Sequence, residues 1–262
     1  MISGLLIDLD GVLYQGDKLI AGAKLVVDWM VHENIPHKFV TNTTSKPRSA
    51  IIEKLSALKI DAAEKDILTP PIAATSWLKE HTSGPAALFV PEATKQDFIG
   101  IDQLPSDAES GASAVVLGDI GGSWTFSELN RAFRLLMAEP KPALVALGMT
   151  RYWQTQSGLQ LDVAPFVKAL EYAADCEAVV LGKPSQEFFN QALLSLDCDA
   201  SEAMMIGDDV VGDVQGAQRA GIRGALVKTG KFRPRDLEAD PIPDVVFDSI
   251  ADLPEWWTQR SD

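Results

Sequence analysis

Ile7-Asp8-Leu9-Asp10-Gly11 closes a short apolar run, Gly4-Leu5-Leu6-Ile7, and carries two carboxylates where a buried strand should end. Buried strands rarely carry acids, because an unpaired buried charge is very costly. Side chains two residues apart on a strand share a face, so Asp8 and Asp10 converge at the strand terminus. Gly11 lets the chain turn away there. Two converging carboxylates call for a cation, a proton, or both. An Asp-Gly hairpin is the bland alternative, but no cleanly alternating partner strand follows Gly11.

Three further stretches repeat this form, an apolar run followed by polar residues: Phe39-Val40-Thr41-Asn42, Val179-Val180-Leu181-Gly182-Lys183 and Met205-Ile206-Gly207-Asp208-Asp209. Ligands of open α/β sheets bind at the carboxyl ends of the strands. All four stretches are therefore expected to be strand ends opening onto one site. A helix over about 23–33 follows the first strand. The residues after Thr41-Asn42 are rich in helix-capping types, and Pro47 suits the first turn of the next helix. A helix N-terminus aimed at a strand end is an anion site. Lys183, directly after an apolar run and Gly182, is placed to neutralise phosphate oxygens and to offset the acids. Asp8 and Asp208 give a hard cation two carboxylates, and the Asp10 backbone carbonyl a third protein ligand. Asp209 and Asp213 complete an acidic cluster after Ile206.

From about residue 75 the organisation changes. Strands at 86–90, 114–117 and 144–147 end without clustered acids, and helices follow near Thr125, with capping-box spacing to Glu128, and over 164–174. Residues 75–180 are expected to form a second α/β domain inserted into the first, which comprises residues 1–74 and 181–262. In the first domain, helices are expected after Ser185 and over 214–220, and the last clear strand at 222–227. Trp256 and Trp257 are expected to pack down a C-terminal helix.

Composition narrows the functions. Over 262 residues, 46% are hydrophobic and 23% charged, ordinary values for a chain able to bury a core. The formal net charge of -14 speaks against nucleic acid, whose phosphate backbone needs a basic stripe. It is compatible with a small anionic substrate held by local donors. Cys176 and Cys198 form neither a disulfide framework nor a metal-spaced pair. No basic segment precedes an apolar leader and no long apolar span is present, so a cytoplasmic protein without a membrane partner is expected. There is no Walker A loop and no G-x-S-x-G elbow. His32, His37 and His81 lie outside the four strand ends.

Taken in order, Asp8-Leu9-Asp10-Gly11-Val12, Val40-Thr41-Asn42, Gly182-Lys183-Pro184 and Gly207-Asp208-Asp209 with Asp213 resemble the four motifs of the haloacid dehalogenase (HAD) superfamily. The insertion resembles the C2-type cap of its NagD-like subfamily. Gly182–Phe189, Met205–Arg219 and Thr229-Gly230-Lys231-Phe232-Arg233 resemble the branch containing phospholysine/phosphohistidine/pyrophosphate phosphatases. Several members of that branch have Ser at the position of Asp10. The resemblance implies a Rossmann-like core, a parallel sheet with helices on both faces, and an α/β cap. It implies a Mg²⁺-dependent phosphatase acting on small phosphorylated molecules, as monoesters, phosphoamides or pyrophosphate. Asp8 would be the nucleophile and Asp10 the acid and base. Asp8, Asp10 and Asp208 would hold the metal, and Thr41, Asn42 and Lys183 the phosphoryl group. Asp209 and Asp213 would orient Lys183 or metal-bound water.

A dehalogenase would need neither Asp10 nor the metal, and a non-catalytic phosphate- or metal-binding regulator would not need the intact motifs. Many NagD-like caps carry Ala-Thr-Asn-x-Asp where this chain has Gly148-Met149-Thr150-Arg151-Tyr152-Trp153. Arg151, Tyr152 and Trp153 are therefore candidates for substrate selection, against the alternative that the aromatics pack the cap core and Arg151 is solvated. A homodimer through the cap is a further expectation.

Overall fold

The computed structural model describes residues 2–155, 157–238 and 240–259 of an α/β protein. By contacts the chain forms two compact units, Met1–Thr41 with Ser49–Leu68 and Lys183–Asp262, and Asn42–Arg48 with Thr69–Gly182.

The first unit is built on a six-stranded sheet in the order Val245–Phe247, Arg223–Val227, Ala203–Gly207, Gly4–Asp8, His37–Val40, Ile67–Leu68. Every neighbouring pair is parallel. Parallel strands are covered on both faces and so read as continuous apolar runs. Gly4–Asp8 and Ala203–Gly207 meet this requirement, with all five residues buried in each. On one face Leu5, Ile7, Phe39, Met204, Ile206, Ala225 and Val227 join Val26, Val27 and Met30 of helix Ala23–His32 in a single core. On the other, a Cβ at Gly4 would press on Leu196 of helix Gln186–Leu196, which places that helix under the opposite side. The C-terminal helix Leu253–Thr258 is fastened by edge-to-face ring pairs, Trp29 with Trp257 at 6.2 Å and Phe247 with Trp256 at 5.9 Å.

Sheet order explains where a ligand can bind. From Gly4–Asp8 the chain runs outward to His37–Val40 and Ile67–Leu68. The strands after residue 200 fill the opposite side, starting with Ala203–Gly207. The order reverses between these two central strands, and such a switch point leaves a crevice at the strands' carboxyl ends. Ile7 pairs with Ile206 there, so Asp8 and Gly207-Asp208 emerge side by side.

The second unit has its own four-stranded parallel sheet, in the order Val179–Val180, Ala143–Ala146, Ala114–Leu117, Ala86–Phe89. Helices Pro70–His81, Phe126–Leu136 and Ala164–Ala174 belong to it. Thr69 and Thr125 cap the first two, accepting from the Ile72 and Glu128 amides. Phe89, Trp124 and Phe166 stack in series at 5.9 and 4.7 Å. An antiparallel hairpin, Tyr152–Thr155 with Gly158–Leu161, completes the unit.

The four expected strand ends do not share one sheet: Val179–Val180 pairs with Val145 and Ala146 of the second unit, and the Leu181 amide donates to the Ala146 carbonyl at 2.8 Å. Its apolar character serves the second unit's sheet edge. Lys183 is therefore carried on the turn that leaves that edge, and three strand ends rather than four converge in the first sheet. The structure adds two short strands, Ile67–Leu68 and Val245–Phe247, whose two or three residues carry no periodic signal in the sequence. Among the described residues no helix is long and apolar enough to cross a membrane.

Candidate active site

Asp8 is the last residue of its strand and is only 7% exposed, whereas Asp10, two residues on, is exposed. The difference follows from the turn. Gly11 adopts φ +90° and its amide donates to the Tyr14 carbonyl at 2.6 Å, which lifts Asp10 out of the sheet. On the neighbouring strand Val40 pairs with Asp8, so the buried Thr41 follows directly beside the Asp8 terminus. Asn42, Arg151, Tyr152 and Trp153 belong to the other compact unit. Tyr152 and Trp153 are 51% and 46% exposed, so they do not pack its core; the Arg151 guanidinium lies 5.8 Å from the Tyr152 ring.

After Gly207 the chain does not enter an ordinary α-helix. It first makes a wide π-type turn, Val210–Gln215, before the short helix Gly216–Arg219. Such turns recur at functional sites because they re-aim side chains. Asp209 caps this one, Oδ1 accepting from the Val211 and Gly212 amides at 3.1 and 2.8 Å. The turn brings Asp213 back toward the sheet, where its Oδ2 accepts the Asp209 amide at 3.1 Å. Gly207 is required beneath it, since a side chain there would overlap the Asp213 carboxyl group.

Lys183 joins these pieces. Its Nζ donates to Asp8 Oδ1 at 2.7 Å and to Asp213 Oδ1 at 2.6 Å, and all three side chains are buried. Asp8, Asp208 and Asp213 each offer a carboxylate oxygen within 4.8 Å of the others. Burial and mutual repulsion set the electrostatics. Burial pushes the Asp8 carboxyl up, against the pull of Lys183, and Asp208 adds to the rise. Burial likewise raises Asp208, with the Lys231 amide working against it. Asp213 is pushed up to about 6 by burial, with Lys183 opposing and Asp8 adding. Burial disfavours the Lys183 ammonium, but Asp213 and Asp8 prevail and hold it above the ordinary lysine range. Asp209 behaves oppositely: burial would raise it, but the Gly212 amide and Lys231 bring it below the usual value.

Three buried acids against one buried lysine leave a deficit of positive charge that a divalent cation would fill. A second observation points the same way. Asp208 Oδ1 is buried and accepts no hydrogen bond, while its Oδ2 is held by the Lys231 amide at 2.7 Å. An orphaned carboxylate oxygen on a residue clustered with two other carboxylates suits a hard metal ion, which takes oxygen ligands. The donor set therefore fits such an ion.

The structure adds the loop Thr229-Gly230-Lys231 to the acidic cluster. Thr229 Oγ1 donates to the Gly11 carbonyl, and Gly230 adopts φ +63°. Side chains at Gly11 or Gly230 would overlap Asp208 Oδ2, so the two glycines let the backbone close over that oxygen. The signal was present: Arg223–Val227 is another apolar run followed by polar residues and a glycine, and it lies in the same sheet next to Ala203–Gly207.

The profile of the haloacid dehalogenase-like hydrolases matches residues 5–100, and a second, HAD-hydrolase-like profile matches residues 180–253. Human phospholysine phosphohistidine inorganic pyrophosphate phosphatase is 39% identical over a 266-position alignment covering 100% of this chain and 96% of that protein. Haloacid dehalogenase-like hydrolase domain-containing protein 2 of Bos taurus is 38% identical, covering 95% and 93%. Among solved structures, 4-nitrophenylphosphatase from Thermotoga maritima superposes with a TM-score of 0.84 at 24% identity, covering 97% of each chain. NagD from E. coli K-12 gives 0.82 at 19%, covering 96% and 98%. The two structures show the shared NagD-like fold, and the curated relatives show the rest: the chain belongs to the haloacid dehalogenase-like hydrolase family and is a phosphoric ester hydrolase.

Proposed function

We propose that this chain is a Mg²⁺-dependent phosphatase of small phosphorylated molecules that works through an aspartyl-phosphate on Asp8. The observation that carries the reading is the buried Asp8–Lys183–Asp213 chain beside the unpartnered Oδ1 of Asp208. Asp8, Asp208 and the Asp10 carbonyl would hold the metal. When bound, the ion supplies positive charge that shields the phosphate's oxygens from an anionic nucleophile.

The remaining chemistry belongs to the side chains. An Asp8 carboxylate oxygen attacks phosphorus, forming the Asp8–phosphorus bond as the bond to the leaving group breaks. Asp10, exposed at the mouth of the turn, gives its proton to the leaving atom. It then takes a proton from the water that attacks phosphorus, which frees Asp8 and releases phosphate. Lys183, Thr41 and the Asn42 backbone bind the phosphoryl oxygens. Asp213 keeps Lys183 charged and aimed, and Asp209, engaged in its own cap and with Lys231, braces the acidic turn.

The leaving group is the open variable. The human relative's name includes phospholysine, phosphohistidine and inorganic pyrophosphate, which makes phosphoamides and pyrophosphate candidates here beside monoesters. Arg151, Tyr152 and Trp153 are the candidates for selecting that group, and the rings of Tyr152 and Trp153 are exposed. The same hairpin exposes Leu159 and Leu161, apolar surface of the kind a cap-mediated homodimer would cover. The test is p-nitrophenyl phosphate hydrolysis by EDTA-treated protein before and after Mg²⁺ is restored. Activity lost and regained supports the reading; full activity in EDTA refutes it.

A further inference from the structure

Lys231 meets the acidic site in two ways. Its amide donates to Asp208 Oδ2 at 2.7 Å, which commits that oxygen and leaves the buried Oδ1 without a hydrogen-bond partner. The amide cannot drift. Gly230 before it stands in the left-handed region against Asp208, and Thr229 is tied to the Gly11 carbonyl. The side chain, by contrast, is 69% exposed and reaches back so that Nζ lies 3.4 Å from Asp209 Oδ2. That is a loose contact, longer than the 2.6–2.7 Å bonds of Lys183. The Lys231 ammonium feels Asp209, Asp208, Asp213 and Asp8 together. Lys183 is locked between two carboxylates, whereas Lys231 is a second cation beside the same acids that is free to swing into water.

We propose that Lys231 sets the metal affinity of the acidic site: its amide orients Asp208 to receive a divalent cation, and its ammonium is an exchangeable counter-charge opposing that cation. This rests on the metal-dependent reading above. The acids need compensation whether or not metal is bound, and a mobile ammonium beside them supplies part of it in the metal-free protein. A dication arriving at Asp8 and Asp208 is repelled by that ammonium, which turns outward on its flexible stem. The consequence runs opposite to that of an ordinary site residue, since removing the Lys231 charge should strengthen metal binding.

The test is calorimetric titration of metal-free protein with MgCl₂, comparing wild type, Lys231→Gln and Lys231→Arg. A unit charge at the edge of the site, partly screened by water, should change Mg²⁺ affinity by about three- to tenfold at low ionic strength. Lys231→Gln should bind Mg²⁺ that much more tightly, the gain should shrink at high salt, and Lys231→Arg should match wild type. In metal-free buffer Lys231→Gln should also melt lower than wild type and gain more from Mg²⁺. Equal or weaker Mg²⁺ binding by Lys231→Gln overturns the proposal, as does equal tightening in Lys231→Arg, which would make the effect one of shape. Absence of Mg²⁺ binding in all three proteins overturns the metal-dependent reading with it, so the two failures are distinguishable.

Discussion

Replacing Lys183 with Met tests the electrostatics of the site without creating a large cavity. Methionine keeps the apolar stem and removes the ammonium that lies 2.7 Å from Asp8 and 2.6 Å from Asp213. Three carboxylates then share one buried pocket with no buried cation. Removing one partner of a buried ion pair costs about 3–5 kcal/mol, and about 2–4 °C is lost per kcal/mol in a chain of this size. The metal-free variant should therefore melt about 10 °C below wild type near neutral pH. Lys183 has a raised pKa, so its contribution is complete across the neutral range and lost only in alkali. The penalty is thus set by the acids. It should shrink as pH falls toward 5, where the raised Asp8 and Asp213 carboxyls take up protons in place of the missing charge. Mg²⁺ should recover part of the loss. Thermal melts at two pH values, with and without Mg²⁺, read all of this. A loss below about 2 °C, or one indifferent to both pH and metal, would show that Lys183 is not the charge on which the buried acids depend.

Asp10→Asn keeps the backbone carbonyl assigned to the metal and removes only proton transfer, worth about 10²–10⁴-fold. An alkyl phosphate should lose far more kcat than p-nitrophenyl phosphate, and equal losses would remove Asp10 from the acid role. Gly11→Ala drives a methyl into Asp208 at a positive φ, and should weaken Mg²⁺ binding at least about tenfold, since one misplaced ligand costs that much in comparable sites; unchanged calorimetric affinity would contradict it. Because burial raises Asp8, Asp208 and Asp213 above their unfolded values, these groups' contribution to stability is fullest in acid and falls as pH rises, for Asp213 between about 4 and about 6. Metal binding expels those protons, so the gain in melting temperature from a fixed Mg²⁺ concentration should be larger near pH 7 than near pH 5. A gain that is flat or reversed would refute the linkage. Arg151→Ala should raise KM for extended anionic esters while sparing p-nitrophenyl phosphate; parallel losses, or none, would return Arg151 to a structural role.

The residues that the sequence made legible are those that break the rule for their surroundings. Asp8 and Asp208 are acids at the ends of buried apolar strands, a conflict that only a cation or a proton resolves, and their convergence follows from one strand pairing, Ile7 with Ile206. For Lys183 only part of the setting was legible. The apolar run before it belongs to the second unit's sheet, and periodicity cannot say which sheet a two-residue strand joins. The π-type turn at Val210–Gln215 was read as an ordinary helix starting later, because its cause is local: Asp209 captures two amides and Gly207 leaves room for Asp213. Lys231 was nearly silent. Its amide, not its side chain, holds Asp208, and a backbone donor looks the same in every residue but proline.

The central claim is the covalent role of Asp8, and the most direct measurement is mass spectrometry of acid-quenched enzyme caught during turnover with Mg²⁺. The peptide containing Asp8 should carry one added phosphoryl group on that residue, formed within the first turnover and lost as substrate runs out, and absent from Asp8→Asn. Steady turnover with Asp8 never labelled, or Asp8→Asn hydrolysing substrate at near the wild-type rate, would contradict the account.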